Sequence, residues 1–223
     1  MPTVVEVVPP LCAGDFLSAE EFLRRWEKQP RIKRAELIKG VVYMPSPVSI
    51  QHGEMENNVG TWLGTYRAFT PGTGVAHNAT TIIDDEVPQP DLHLRLLPEY
   101  GGQTWVEGDY LHGAPELLVE VCVTSAAYDL HQKLELYQEA RVREYVAVVL
   151  HSNEILWHRL VDGAYQIVPP DAAAIYRSQV FPGLWLNGSA LLDKRADKVL
   201  ATLQEGIASA EHRAFVETLT SSR

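Results

Sequence analysis

The chain has 223 residues, 46% of them hydrophobic and 22% charged, and its 19 Lys and Arg stand against 29 Asp and Glu for a formal charge of -10. Domains usually run to roughly 100 to 200 residues, so residues 1–223 are expected to form a single domain, and the composition excludes disordered, collagen-like and coiled-coil classes. The acidic balance excludes a protein that coats nucleic acid by bulk charge, since that needs clustered Lys and Arg, but it leaves room for a local basic patch.

Ser18-Ala-Glu-Glu21 has the form of a capping box, and Phe22, Leu23 and Trp26 follow at helical spacing, which predicts a helix over 19–28 ended by Pro30. Residues 35–44, centred on Lys39-Gly40, read as a hairpin carrying Glu36. A second helix is expected over 50–69, with Met55, Val59, Leu63 and Tyr66 on one face. Short β-type runs follow at 75–77, 80–83, 92–97, 104–106 and 110–111. The strongest strand is Leu117-Leu-Val-Glu-Val-Cys-Val123, and after it come a helix over 128–140 and an apolar strand over 145–150. Strand, helix and strand in that order favour parallel pairing. Runs at 155–160 and 165–168 complete a meander, and 189–219 reads as helical with a break near Gly206. The expected class is α/β or α+β, a mixed sheet flanked by helices.

Cys12 and Cys122 are the two cysteines and supply neither a disulfide framework nor a CxxC pair for zinc. Apolar stretches are short, and Glu6 and Pro9-Pro10 lie where a signal peptide needs its apolar core. The expectation is therefore a cytoplasmic protein without a membrane anchor, in which the Asn-x-Ser/Thr triplets at Asn78 and Asn187 are chance matches.

Glu120 is the charge inside that seven-residue apolar run. An ionised carboxylate there is costly unless it is paired, hydrogen-bonded or bound to a metal, so it either serves a function or sits at a sheet edge or against an arginine. Alternation puts Leu118, Glu120 and Cys122 on one face. In Gln89-Pro-Asp91 the proline cannot donate to a strand ladder, so Asp91 should begin a strand, with His93 on the same face; a plain turn is the competing reading. Lys133 flanks the apolar stripe of its helix, placed either to lean toward Glu120 or to pair with Asp129.

Charge is unevenly spread. From Asp84 to Glu120 nine acids face one base, Arg95, for a local balance of -8, while seven of the basic residues fall between Arg24 and Lys39. Acid-rich strands beside a basic helix and loop are what a divalent-metal site acting on a phosphate backbone would need.

Glu36-Leu-Ile-Lys-Gly40, Met44-Pro-Ser-Pro47 followed by His52, Pro90-Asp91, Gly113-Ala-Pro-Glu-Leu-Leu-Val-Glu120, Asp129-x-x-x-Lys133-x-x-x-Tyr137 and Arg143-Glu-Tyr145 occur in order. Over residues 15–190 this arrangement resembles a bacterial family of restriction-endonuclease-like proteins, once a domain of unknown function, within the PD-(D/E)XK nuclease superfamily. The resemblance implies a restriction-endonuclease-like core with residues 191–223 as an additional C-terminal helical extension. It implies that Asp91 and Glu120 hold Mg²⁺ (or Mn²⁺), that Lys133 on the helix stands in for the lysine usually found at the position of Cys122, and that Glu36 is a further catalytic acid. His52 and Tyr137 match recurrent positions of the family and are additional candidates.

The function so implied is metal-dependent DNA endonuclease, hydrolysing phosphodiester bonds. Arg31, Lys33, Arg34 and Lys39 would grip the DNA backbone through a local, salt-sensitive contact, and a homodimer would suit duplex cleavage. A catalytically inactive interaction or dimerisation module on the same fold is the alternative, favoured by Cys122, by the Val123-Thr-Ser-Ala-Ala-Tyr128 loop, which lacks the family's proline, and by the net charge. A third reading is a metal hydrolase using Asp91, His93 and His131, against which the absence of an HExxH pattern weighs.

Overall fold

The computed structural model describes residues 8–44, 47–122 and 126–221, and of residues 126–130 the backbone course alone. The elements are α1 (Ala19–Glu27), β1 (Glu36–Ile38), β2 (Val41–Tyr43), α2 (Ile50–Phe69), β3 (Thr73–His77), β4 (Thr81–Ile82), β5 (Leu92–Leu96), β6 (Trp105–Glu107), β7 (Tyr110–His112), β8 (Leu117–Cys122), α3 (Ala126–Glu139), β9 (Glu144–Val149), β10 (Glu154–Val161), β11 (Ala164–Ile167), β12 (Ile175–Arg177), β13 (Trp185–Asn187), α4 (Gly188–Leu192), α5 (Ala196–Ile207) and α6 (Ala210–Ser221).

Local chemistry accounts for the early elements. Ser18 caps α1 by accepting from the Glu21 amide at 3.3 Å. Glu21 does not complete a capping box but turns its carboxylate to Arg24 and Arg25, and Asp85 Oδ1 accepts from the first-turn Ala19 amide at 2.9 Å. That pairing holds the half-buried Glu21 carboxyl down at about 2. Lys39 and Gly40 have φ of 53° and 74°, the left-handed pair that a two-residue hairpin turn requires, so β1 and β2 pair antiparallel across them.

Among the described residues one sheet of six strands runs in the order β11-β10-β9-β8-β5-β3. Its parallel pair is β8 and β9, joined through α3, and its other pairs are antiparallel. The period-2 pattern of β8 separates two apolar layers. Leu117, Val119 and Val121 join Leu92, Leu94 and Leu96 against Met55, Val59, Trp62, Leu63 and Tyr66 of α2. Leu118 joins Tyr145, Ala147 and Val149 against Leu136 and Tyr137 of α3. The sheet is thus mixed and covered by a helix on each face, as expected.

The C-terminal part differs from expectation. Strands β12 and β13 pair where no strand was predicted, and the tail is three helices, with breaks at 193–195 and 208–209 and α5 continuous through Gly206. Three-residue strands leave little periodicity to read. Gly206 lies in a helix because that helix packs closely: a Cβ there would sit 2.2 Å from the Gly183 carbonyl oxygen and 2.8 Å from Trp185 Cγ.

Candidate active site

The site forms where one end of the sheet meets elements from both faces. In the register of β5 and β8, Leu92 pairs with Val119, so the residue before β5, Asp91, comes opposite Glu120. Val121 donates its amide to Asp91 Oδ2 at 2.9 Å, which fixes that carboxylate against the strand. Both acids are 5% exposed. Glu120 is on an interior strand, between β9 and β5, so it is not at a sheet edge, and among the described residues its ion-pair partner is a lysine and not an arginine.

Its partner is Lys133. One turn before Tyr137 on α3, Lys133 Nζ lies 3.0 Å from Glu120 Oε1 and 3.0 Å from Glu36 Oε1. Tyr137 donates its hydroxyl to the same Glu120 oxygen at 2.8 Å. Glu36 reaches the group because β1 is tied to the segment before Asp91: Leu37 and Val87 exchange both backbone hydrogen bonds, and the Gln89 amide donates to Glu36 Oε1 at 2.7 Å. Burial pushes the Glu120 carboxyl up to about 7, with Asp91 and Glu36 adding to the rise and Lys133 opposing it. Burial also works against the Lys133 ammonium, but Glu120 and Glu36 outweigh it and hold the lysine charged. The Asp129 side chain, the competing partner of Lys133, and the loop at 123–125 lie outside what is described.

A second cluster adjoins the first through Asp91. His52, on the first turn of α2 where Ser49 caps the helix, places Nε2 3.4 Å from Asp91 Oδ1 and 3.7 Å from Glu56 Oε2. The Asp91 contact raises the His52 pKa despite burial. Burial favours the neutral Asp91 carboxyl, but His52 and the Val121 amide win and keep it below its ordinary value. Asn78, left-handed at φ 50°, accepts from Arg34 at 2.5 Å, donates to Glu56 Oε1 at 2.7 Å and gives its amide to the Asp91 carbonyl at 3.0 Å. The side chain of the chance glycosylation triplet is therefore committed to this network. Arg34 lies 3.8 Å from Asp91 Oδ1.

The structure brings Asp91, Glu120, Lys133, Glu36, Tyr137, His52 and Arg34 together. Arg31 and Lys33 are exposed on the approach to it. Lys39 instead pairs with Glu139, and Arg24 and Arg25 with Glu21, so part of the basic segment is neutralised within the fold. Part of the acidic run is also structural: Glu116 is buried and accepts from the Leu96 and Gln103 amides, and Glu86 accepts from the Lys39 amide. The Asp91, His93 and His131 grouping does not form: among the described residues the donor group around Asp91 is His52 and Glu56, while His93 is buried in β5 and His131 lies exposed on α3. Glu56 and Asn78 were not foreseen; His52-x-x-x-Glu56 is an i,i+4 pair on one helix face and was the available signal for the first.

The donor chemistry fits a hard divalent cation. Asp91 and Glu120 offer carboxylate oxygens, with Asp91 Oδ1 and Glu120 Oε2 turned away from the Val121, Lys133 and Tyr137 donors. Lys133 balances the charge of Glu120, and one donor atom from each of His52, Glu56 and Asp91 lies within 4.8 Å of the others.

A family model described as putative restriction endonuclease, Uma2, matches residues 19–189. The chain belongs to the Uma2 family. Its fold is also that of a crystal structure described as a putative nuclease belonging to DUF820 from Anabaena variabilis, with a TM-score of 0.59 at 10% identity over 84% of this chain and 99% of that one. No curated protein matches the chain. The Uma2 match spans both clusters and α2 and α3 that build them, and α5 and α6 lie beyond it. Among the described residues no helix is long and apolar enough to cross a membrane.

Proposed function

We propose that this Uma2 protein is a cation-dependent endonuclease that hydrolyses phosphodiester bonds of DNA. The observation that carries the reading is the placement of Lys133 Nζ at 3.0 Å from both Glu120 and Glu36, beside an Asp91 held opposite Glu120. A group of two oxygen-donor acids with a charged lysine matches the demands of phosphoryl chemistry, where positioning and charge stabilisation dominate.

Asp91 and Glu120 would hold Mg²⁺ or Mn²⁺, and the bound ion would supply a water of lowered pKa and offset charge on the phosphorane-like transition state. The chain's own residues do the rest. An ammonium has three N–H donors. Glu120 accepts one at Lys133, Glu36 pairs with its charge at 3.0 Å, and an N–H would remain for the attacking water or a phosphoryl oxygen. Tyr137 fixes the Glu120 carboxylate from the other side. Arg34, Arg31 and Lys33 would contact the DNA backbone, locally and with strong salt dependence. Two copies related by a two-fold axis would suit cleavage of both strands.

The test is a supercoiled-plasmid nicking assay with Mg²⁺ or Mn²⁺. Wild-type protein should nick, EDTA should stop it, and Asp91→Ala, Glu120→Ala and Lys133→Ala should each abolish it while unfolding cooperatively. Absence of metal-dependent nicking by folded wild-type protein overturns the reading in favour of an inactive interaction module.

A further inference from the structure

Three open donor atoms converge beside Asp91 in a manner the Asp91 and Glu120 pairing does not explain. Glu56 has Oε1 anchored, by Asn78 at 2.7 Å and by His77 Nδ1 at 3.4 Å, which leaves Oε2 facing His52. Asp91 has Oδ2 anchored by the Val121 amide, which leaves Oδ1 facing His52. His52 Nε2 is itself buried and makes no hydrogen bond among the described residues. A buried imidazole nitrogen that makes no hydrogen bond, between two carboxylates each oriented by its far oxygen, is the arrangement in which outer hydrogen bonds aim ligands at a metal.

The spacing admits an ion. His52 Nε2 is 3.4 Å from Asp91 and 3.7 Å from Glu56, and the three donors lie within 4.8 Å of one another. An ion inside such a triangle is about 2.4 Å from all three, within reach of dication coordination after small side-chain movements. Gly60 leaves room on α2 for the His77 ring that braces Glu56: a Cβ there would fall 2.3 Å from His77 Cε1.

We infer that His52, Glu56 and Asp91 form a second cation pocket, sharing Asp91 with the Glu120 site, and that it selects a first-row transition-metal dication over Mg²⁺. Imidazole nitrogen is a poor match for Mg²⁺, which takes oxygen ligands and retains its waters, whereas Mn²⁺ and its heavier neighbours accept mixed nitrogen and carboxylate shells. Arg34, 3.8 Å from Asp91 Oδ1, competes with the ion for that oxygen and keeps the affinity modest. The inference deepens the proposed nuclease reading by naming the metal class the site takes, but its test is independent of cleavage.

The experiment is Mn²⁺ titration of the purified full chain, followed by electron paramagnetic resonance with detection of nitrogen coupling to the bound ion. Wild-type protein should bind Mn²⁺, show coupling to one imidazole nitrogen, and keep it in a large excess of Mg²⁺. His52→Gln should remove the coupling and weaken Mn²⁺ binding by about tenfold or more. Glu120→Gln should retain the coupling. Bound Mn²⁺ without nitrogen coupling in the wild type, or with coupling that survives His52→Gln, overturns the inference, and the wild-type spectrum decides even if a variant fails to fold. Nitrogen-coupled Mn²⁺ in a protein that never nicks DNA would sink the nuclease reading alone, and nicking without coupling would sink the pocket alone.

Discussion

Lys133 reaches Glu120 from a neighbouring helix, whereas the strand position two residues after Glu120, where a same-face lysine would stand, is Cys122. The ammonium that balances Glu120 thus comes from α3 and not from β8. Lys133→Met should therefore reduce nicking by about a hundredfold or more, the usual cost of removing a positioned electrostatic donor. It also strands Glu36 and Glu120 without their cation, at about 3 kcal/mol at most, since Glu120 can take up a proton. Adding Cys122→Lys to Lys133→Met should restore part of the activity, because position 122 shares the Glu120 face. No recovery in the double variant would show that the helix position is itself required.

Asn78 ties Arg34, Glu56 and the Asp91 backbone together from a left-handed conformation. Asn78→Gly keeps that backbone and its amide while deleting both side-chain links. Nicking should fall about tenfold, as for loss of a residue that orients ligands, and the melting temperature should fall by about 4 °C at most. Unchanged cleavage would mean that Arg34 and Glu56 hold their places unaided.

His158 is buried, stacks on Tyr145 with ring centroids 5.8 Å apart, and leaves Nδ1 buried without a partner among the described residues. Burial lowers its pKa below the ordinary 6.5. Between the lowered folded value and 6.5 the unfolded chain binds more protons, so the stability present above pH 6.5 is lost as pH falls. His158→Phe removes the titrating group, and its melting temperature relative to wild type should rise steadily from pH 7 to pH 5. Parallel melting curves across that range would contradict the burial argument.

Gly206 sets helix propensity against packing. Alanine is favoured in a helix interior by about 1 kcal/mol over glycine. Here the added methyl would meet the Gly183 carbonyl oxygen at 2.2 Å, a backbone atom that cannot rotate away. Gly206→Ala should destabilise the protein by roughly 2 kcal/mol in urea unfolding. A stabilised variant would place α5 farther from β13.

The elements that build the site were legible because each carried its own local signal. The apolar run with a lone charge marked β8, Pro90 marked the start of β5, and the Lys39-Gly40 turn located the hairpin that carries Glu36. What escaped was information held only between segments. The basic stretch from Arg24 to Lys39 reads as one patch in one dimension, but in three Glu21 and Glu139 pair with the residues at its two ends. Glu116 and Glu86 look like candidate ligands until their amide partners are seen. Asn78 gave no signal beyond a three-residue match, since its role depends on partners from α2 and from the chain before β1.

The two halves of the site differ in how far the chain must travel to build them. Glu120, Lys133 and Tyr137 all belong to the contiguous β8, α3 and β9 unit, which closes through a single crossover. Asp91, Glu36 and His52 must be brought in from earlier segments on both faces of the sheet, contacts that carry the larger closure entropy. The lower closure entropy of the β8, α3 and β9 unit favours housing Glu120 beside its lysine before the remaining carboxylates join them.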